Sequence, residues 1–262
     1  MRHEALERRL RSVGLDPGAI GDAVAAWQRL HEAFGTAVTI ADRYDLEAAA
    51  RGVPVAALSG EDRSELALEV LALRSAGMEL IGSSPGDPIR VVAYDPAWPG
   101  RFRSWRDRLA GALGPAALRI DHVGSTAIPG LPAKPVIDVQ VSVADVEDED
   151  AYVAAVEAVG VPLRMREAGH RYFRPETREV QVHVCAAGGP WERDHLLFRD
   201  FLRARPDMRD DYAALKLALA ERFGDDRLAY NDAKTAFILD VVARAGDWAQ
   251  ATGWEVSAAH SG

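Results

Sequence analysis

Short runs rich in β-branched residues alternate with helical stretches in the later part of the chain, and this alternation most constrains the fold. The expected strands are 118–123, 136–143, 171–174 and 180–185, with a short extended run at 89–93. The expected helices are 99–113, 151–159, 191–204, 207–223 and 228–245. This order predicts an α/β (α+β) fold, in which a small mixed sheet has helices on one side and C-terminal helices as a cap.

The first part of the chain has a different pattern. Val24, Trp27, His31 and Phe34 repeat at the spacing of one helix face. A segment dense in Gly, Ser and Pro, 82–88, then predicts a linker. We therefore predict three parts. Residues 1–88 form a small helical N-terminal domain, residues 89–247 form an α/β domain, and residues 248–262 form a C-terminal tail.

Charge and composition exclude some classes of protein. The net charge of −9 disfavours binding to nucleic acid, because the averaged field repels phosphate backbones. The lone cysteine, Cys185, forms no disulfide within the chain and is expected to be a small apolar strand residue. The sequence shows neither an apolar signal region nor an apolar stretch of about 18 residues that could span a membrane. We expect a cytoplasmic protein without membrane contacts.

One strand leads into Gly124, Ser125 and Thr126. Glycine lets the backbone approach a ligand closely, and the hydroxyls and amides that follow can hold phosphate oxygens. Asp138 comes about a dozen residues later, inside a strand of Val and Ile, where a carboxylate is costly unless it binds metal or is tightly hydrogen-bonded. From these residues alone, a metal site and a structural aspartate bonded by loop amides both remain open.

Nine ordered segments share a further property, since each resembles a hallmark segment of the GrpB family, a branch of the nucleotidyltransferase-like fold. They are 94–99, 122–131, 134–138, 169–173, 182–184, 191–193, 198–203, 212–216 and 230–234. The resemblance covers residues from about 91 to 247 and leaves the first 90 outside it. It implies a Gly-Ser turn that holds nucleoside triphosphate phosphates, and carboxylates on adjacent strands that bind two Mg²⁺ ions.

The chain departs from the active members of that superfamily at the second carboxylate. The resemblance implies Asp-x-Asp or Asp-x-Glu on the first strand, whereas here Asp138 is followed by Gln140. A glutamine supplies no charge to a hard cation. The neighbouring strand offers His183, which we expect across from Asp138. The alternative role of His183 is structural, as a hydrogen-bonded histidine of the sheet.

Basic residues supply the remaining candidates for phosphate binding. Lys216 lies four residues after Tyr212, and Lys234 lies four after Tyr230, so each pair shares a helix face. The alternative is a lysine stem that covers aromatic packing at the surface. Two further candidates for phosphate binding are Lys134 and Arg171. The alternative role of each is an ordinary salt bridge.

We therefore expect an NTP-dependent transferase or ligase that uses ATP and Mg²⁺ on an unknown small-molecule acceptor. The expected catalytic residues are Ser125, Asp138 and His183, with Asp138 also as the metal ligand. The alternative is a non-catalytic, chaperone-like module that binds a nucleotide or a protein partner, the latter through the N-terminal helices. The resemblance supports this alternative, because it implies that such domains also occur joined to dephospho-coenzyme A kinase.

Overall fold

A computed structural model describes residues 2–34, 40–59, 62, 63, 65, 66, 69, 79–81 and 88–256. These residues form two compact units. The first comprises Met1–Ala76 with Phe223–Ala236, and the second comprises Gly77–Arg222 with Phe237–Gly262. Most of the predicted linker, 82–87, and the end of the predicted tail, 257–262, lie outside the described residues.

The first unit is helical in its described part. Its helices are α1 (Arg2–Ser12), α2 (Ala23–Phe34) and α3 (Ile40–Arg51), with a single 3-10 turn at Val55–Ala57, and α8 (Arg227–Ala233). Leu10, Trp27 and Leu30 are among its buried side chains. The hydroxyl of Tyr44 lies 2.8 Å from the carboxylate of Asp226, which caps the start of α8, so this late segment packs with α3.

The second unit is built on a mixed sheet. Its strands are β1 (Glu79–Leu80), β2 (Arg119–Val123), β3 (Ile137–Val143), β4 (Leu163–Glu167), β5 (His170–Phe173) and β6 (Val180–Ala186). The strand order is β1-β4-β5-β6-β3-β2, and β3 pairs with β6 in parallel while the other pairs are antiparallel. Its helices are α4 (Trp98–Leu113), α5 (Val153–Ala158), α6 (Pro190–Ala204), α7 (Pro206–Phe223) and most of α9 (Thr235–Thr252).

The two faces of β3 differ in polarity, because side chains alternate along a strand. Val139, Val141 and Val143 point into an apolar core that α4 and α5 cover. Asp138, Gln140 and Ser142 point to the opposite face. That polar face carries the candidate site.

Helix α6 covers the polar face. It begins at Pro190, whose fixed φ suits the first turn of a helix. Glu192 is buried and accepts hydrogen bonds from the Ser142 hydroxyl on β3 and from the amide of Gly188. Arg199 reaches Asp121 on β2. Behind it, α6 packs on α7 and α9 through an apolar cluster that includes Leu197, Phe201, Met208, Tyr212 and Val241.

The predicted fold class is confirmed, with a mixed sheet, C-terminal helices and helices in the N-terminal part. Three local predictions differ from the structure. The strands β1 and β4 were not expected, the run at 89–93 forms only a bridge between Val92 and Ala133, and the helix expected at 228–245 is two helices, α8 and α9. Among the described residues, no helix has the length and apolar character needed to cross a membrane.

Candidate functional site

Gly124 and Asp138 lie against each other at the end of β2. Val123, the last residue of β2, pairs with Asp138, and Gly124 follows with φ of 68°. A Cβ atom at residue 124 would lie 2.1 Å from Oδ2 of Asp138, closer than any real contact. Glycine is therefore required here both by its positive φ and by the carboxylate beside it.

The 3-10 turn Ser125–Ala127 follows this glycine. Thr126 is buried; its hydroxyl donates to the carbonyl of Val136 at 3.1 Å and lies 3.0 Å from Nε2 of His122. The Thr126 hydroxyl therefore stabilises the turn, and only its backbone amide remains for a ligand. Ser125 is half-buried, and its hydroxyl makes no hydrogen bond to the described residues. Ser125 thus supplies the side-chain donor of the turn.

His183 lies on the same polar face as Asp138. In the parallel pairing of β3 with β6, His183 is opposite Gln140 and Gln181 is opposite Asp138. Nε2 of His183 lies 3.8 Å from Oδ1 of Asp138. A small ligand atom between these two groups would contact both of them.

A chain of hydrogen bonds leads from His183 to Glu167. Nδ1 of His183 lies 3.0 Å from Nε2 of His170, and Nδ1 of His170 lies 2.6 Å from the carboxylate of Glu167. The hydrogen bond from His170 lowers the pKa of Glu167, and burial lowers the pKa of His170. At neutral pH, Glu167 is therefore ionised and His170 is neutral. The carboxylate of Glu167 accepts a hydrogen bond from Nδ1–H of His170.

This network determines the tautomer of His183. Because Nδ1 of His170 carries its proton, Nε2 of His170 must accept a hydrogen bond from Nδ1 of His183. In the neutral form of His183, Nε2 then has a free lone pair, and this atom is the one that faces Asp138. The pattern of the sequence gave no reason to single out Glu167 or His170, because their contacts depend on the β4–β5 pairing.

Stacked aromatic rings surround the two histidines. The Trp191 ring of α6 lies 4.4 Å from the ring of His170 and 5.2 Å from that of His183, measured between centroids. His195 also stacks on Trp191, with 3.5 Å between the ring centroids. This stack restricts the rotation of His183 and so keeps its Nε2 atom directed at Asp138.

Gln140 lies where the resemblance to active members of the nucleotidyltransferase-like superfamily implies a second acid. Its side chain is fully buried, and neither its amide nitrogen nor its amide oxygen has a hydrogen-bond partner. An unpaired buried amide costs about 1–3 kcal/mol, so a ligand or a water that bonds it would recover that energy.

The residues on this face do not fit a pair of Mg²⁺ ions. In the described part of the chain, no three His, Cys, Asp or Glu side chains come together as a metal site. Asp138 offers one carboxylate, while Gln140 offers a neutral oxygen. This donor set fits a single Mg²⁺ whose other ligands are phosphate oxygens and waters, since Mg²⁺ prefers oxygen and often binds through one or two carboxylates.

Two lysines add positive charge near this site. Lys216 on α7 is 2% exposed, donates to the carbonyl of Pro132, and lies 4.7 Å above the Tyr212 ring. Burial and, to a smaller extent, the nearby Lys134 lower the pKa of Lys216 to about 7, although Asp138 acts in the opposite direction. The structure thus brings Lys134 and Lys216 within electrostatic range of each other, and Lys216 within range of Asp138.

Arg171, one of the expected phosphate ligands, does not join this group. Arg171 points to the opposite face of β5 from Tyr172 and pairs with Glu147 and Glu149, so its charge is already neutralised. Tyr230 and Lys234 belong to the first compact unit, where the ammonium lies 4.7 Å from the ring centroid. The spacing of four residues therefore predicted the local contact in both Tyr–Lys pairs, and the assignment of Tyr230 and Lys234 to the phosphate site stays a prediction.

Comparison with known proteins assigns the family. The model of the family described as GrpB protein matches residues 88–244, which is more than half of the chain. The chain belongs to the GrpB family. A crystal structure of the conserved protein GrpB from Enterococcus faecalis aligns with a TM-score of 0.55 at 32% identity, over 61% of this chain and 99% of that one. The resemblance expected from the sequence motifs is confirmed.

Other relatives of this GrpB chain are named either UPF0157 protein or dephospho-CoA kinase. A UPF0157 protein of Streptomyces coelicolor is 43% identical over 169 residues, which are 64% of this chain and 90% of that protein. A dephospho-CoA kinase of Mycolicibacterium paratuberculosis is 35% identical over 198 residues, covering 64% of this chain and 48% of that enzyme. The chain therefore matches only about half the length of the kinase.

Proposed function

We propose that this GrpB protein is an NTP-dependent transferase or ligase that transfers a nucleotidyl group from ATP to a small-molecule acceptor. The proximity of Gly124, Asp138 and His183 carries the proposal. The carboxylate of Asp138 lies directly against the backbone of Gly124. The imidazole of His183, with a free lone pair on Nε2, lies 3.8 Å from that carboxylate on the same face of the sheet.

The turn is proposed to hold the phosphates. The amides of Ser125 and Thr126 open a 3-10 turn, so no carbonyl within the turn accepts them. The Ser125 hydroxyl is a further donor. Lys134 supplies positive charge, and Lys216 adds to it in its protonated form, which a bound phosphate favours. Asp138 would hold one Mg²⁺ that arrives with the nucleotide. Such an ion would neutralise negative charge on the phosphate oxygens.

His183 is proposed as the general base. Its Nε2 atom accepts the proton of the acceptor hydroxyl or amine, while the acceptor atom bonds to the α-phosphorus and pyrophosphate leaves. For a carboxylate acceptor no proton needs to be removed, and His183 then only positions the acceptor. Glu167 and His170 keep Nε2 of His183 unprotonated in its neutral form.

A second candidate is a non-catalytic module that binds a nucleotide or a partner protein. Two observations favour it. Gln140 stands where a second acid would complete a two-metal site, and the similar region of a dephospho-CoA kinase is about half of that enzyme. In this function the polar face would bind nucleotide without transferring it, and a partner would bind elsewhere, for example on the N-terminal helices.

Calorimetric titration of ATP with Mg²⁺ separates these functions. We would titrate the wild type, Asp138→Asn and the control Asp150→Asn, which changes an exposed acid outside the site. The transferase proposal expects saturable binding to the wild type and to the control, and at least tenfold weaker binding to Asp138→Asn, about 1.4 kcal/mol. Absence of binding to the wild type would contradict any nucleotide function for this face.

An assay of pyrophosphate release then distinguishes the transferase from the binding module. The wild type and His183→Gln would be incubated with Mg·ATP and a panel of small hydroxyl, amine and carboxylate compounds. Release that needs one acceptor and falls at least a hundredfold in His183→Gln supports general base catalysis. Binding of Mg·ATP without release for any acceptor class would favour the module.

A further inference from the structure

A cavity of about 360 Å³ lies beside the edge strand β2. Helix α4 forms one wall and helix α6 the other, so it lies entirely within the second compact unit. Its volume is within the range of pockets that bind small molecules, roughly 300–1,000 Å³. None of the catalytic or phosphate-binding residues proposed above lines it.

The walls of this cavity carry an unusual density of arginine. Arg103 and Arg106 come from α4, and Arg199 and Arg203 come from α6. Asp121 is the acid of the lining, and it is already paired with Arg119 and Arg199. Asp107 pairs with Arg106, and Asp200 pairs with Arg199 and Arg203. The arginines therefore outnumber the acids around this cavity by a small margin, although the whole chain is negative.

These guanidinium groups are not equally satisfied. Arg199 makes paired hydrogen bonds to the carboxylate of Asp200. Arg103 is exposed and has no ion-pair partner among the described residues. Arg203 donates two hydrogen bonds to the carbonyl of Ala127, and its pKa is lowered by burial and by the nearby Arg199. A third nitrogen of Arg203 lies 3.3 Å from Asp200, which also pairs with Arg199. Arg106 pairs with Asp107, so Arg103 is the lining arginine whose guanidinium has no carboxylate partner among the described residues.

Flat rings form another part of the lining. The rings of Phe102 and His122 stack with centroids 4.7 Å apart and an angle of only 5° between their planes. Burial lowers the pKa of His122 to about 4, so its ring is neutral at pH 7. Because the two rings cover each other and His122 is buried, a planar ligand group would stack on the uncovered face of Phe102, while a guanidinium group binds an oxyanion through two parallel hydrogen bonds.

We propose that this cavity binds a small phosphate monoester that carries a flat aromatic ring. Arg103 and Arg203 bind the phosphate, and the uncovered face of Phe102 is the surface on which the ring stacks. A phosphate monoester fits better than a carboxylate, because a dianion offsets more of the excess guanidinium charge. The proposal does not depend on nucleotidyl transfer, since it uses neither Asp138 nor His183.

Phenyl phosphate is the probe for this cavity, titrated by calorimetry without nucleotide or Mg²⁺ at a fixed low salt concentration. Inorganic phosphate tests the charge alone, and benzyl alcohol tests the ring alone. We expect saturable binding of phenyl phosphate and at least tenfold weaker binding of the other two. Equal affinity for inorganic phosphate, or no binding of phenyl phosphate, would overturn the proposal.

Variants locate the binding. Arg103→Ala and Arg203→Ala should each weaken phenyl phosphate binding at least tenfold; because Arg103 is exposed and unbonded, its variant should fold normally. Arg193→Ala, which removes an exposed arginine of α6 outside the cavity, is the matched control and should bind like the wild type. Asp138→Asn should also bind like the wild type. Loss of binding in Asp138→Asn with retention in Arg103→Ala would assign the ligand to the other site.

Discussion

The carboxylate of Asp138 occupies the space that a side chain at residue 124 would need. A Cβ atom built on Gly124 would lie 2.1 Å from Oδ2 and 2.8 Å from Cγ of Asp138. The backbone of the turn and the acid of β3 are therefore packed directly on each other. A ligand held by the amides after Gly124 must lie close to that carboxylate, which is why we propose that phosphate and metal meet here.

Gly124→Ala should lower the free energy of unfolding and weaken the binding of Mg·ATP. The methyl group collides with Asp138, and alanine is strained at φ of 68°. We expect a loss on the order of 2 kcal/mol, measured by urea denaturation. Gly111→Ala is the matched control, because Gly111 lies within α4 with nothing within 4 Å of a new Cβ.

The control variant should gain stability, since alanine is favoured over glycine inside a helix by about 1 kcal/mol. If Gly124→Ala were as stable as Gly111→Ala, the contact between residue 124 and Asp138 would not exist in solution. If its stability fell but Mg·ATP bound as tightly as before, the turn would not hold the phosphates.

His170→Phe should change the tautomer of His183. Phenylalanine preserves the ring stack on Trp191 but removes the nitrogen that accepts the proton of Nδ1 of His183. Nitrogen-15 chemical shifts of His183 at pH 8 should show the Nδ1–H form in the wild type and a mixture of forms in the variant. His195→Phe is the control, because His195 stacks on Trp191 without a hydrogen bond to His183. An Nε2–H form in the wild type would contradict the proposed general base.

Much of the fold could be predicted from the sequence, because β3 and β6 carry valine at alternate positions, which is the pattern of a strand with one buried apolar face. The strand β4 was missed. Its residues Leu163–Glu167 alternate apolar and charged side chains over only five positions, and charged residues suppress the strand signal. The end of the last predicted helix was also misplaced, since α9 continues to Thr252.

The site could be predicted in part, and the missing part depends on tertiary contacts. Gly124 and Asp138 were identified because a glycine after a strand and an acid inside an apolar strand are both costly without a reason. Glu167 and His170 were missed because a local pattern does not reveal which strand pairs with β6. Arg171 was included because a sequence cannot show that Glu147 and Glu149 lie beside it.

Lys216→Met should remove a pH dependence of the free energy of unfolding. The pKa of Lys216 is about 7 in the folded chain and has an ordinary value near 10.5 when unfolded. Between these values the unfolded state binds more protons, so the free energy of unfolding rises with pH. Because each pH unit in this window contributes up to about 1.4 kcal/mol, the wild type should gain a few kcal/mol relative to the variant between pH 7 and 10.

Lys234→Met is the matched control for this measurement. Lys234 has the same 4.7 Å distance to a tyrosine ring, but it is only half-buried. Its variant should differ from the wild type by an amount that stays nearly constant across the same pH range. Urea denaturation at several pH values checks both variants, and a constant difference for Lys216→Met would contradict a buried amine with a low pKa.

Arg171→Met should destabilise the chain without changing its affinity for ATP. The guanidinium of Arg171 is 6% exposed and bonds Glu147, Glu149 and the carbonyls of Glu167 and His170. Methionine keeps the packing of the stem but removes the side-chain donor of these hydrogen bonds. Since Glu149 retains its pair with Arg166 and Glu147 is exposed, we expect a loss of roughly 2 kcal/mol, less than for a fully buried pair.

Arg193→Met, which changes an exposed arginine of α6, should leave both quantities unchanged. Urea denaturation and calorimetric titration of Mg·ATP on the two variants separate a structural role from a role in ligand binding. An Arg171→Met variant with wild-type stability and tenfold weaker ATP binding would return Arg171 to the phosphate site. The opposite pattern would mean that Arg171 joins the loop at residues 147–149 to β5 and that the phosphates are held by the turn and the lysines alone.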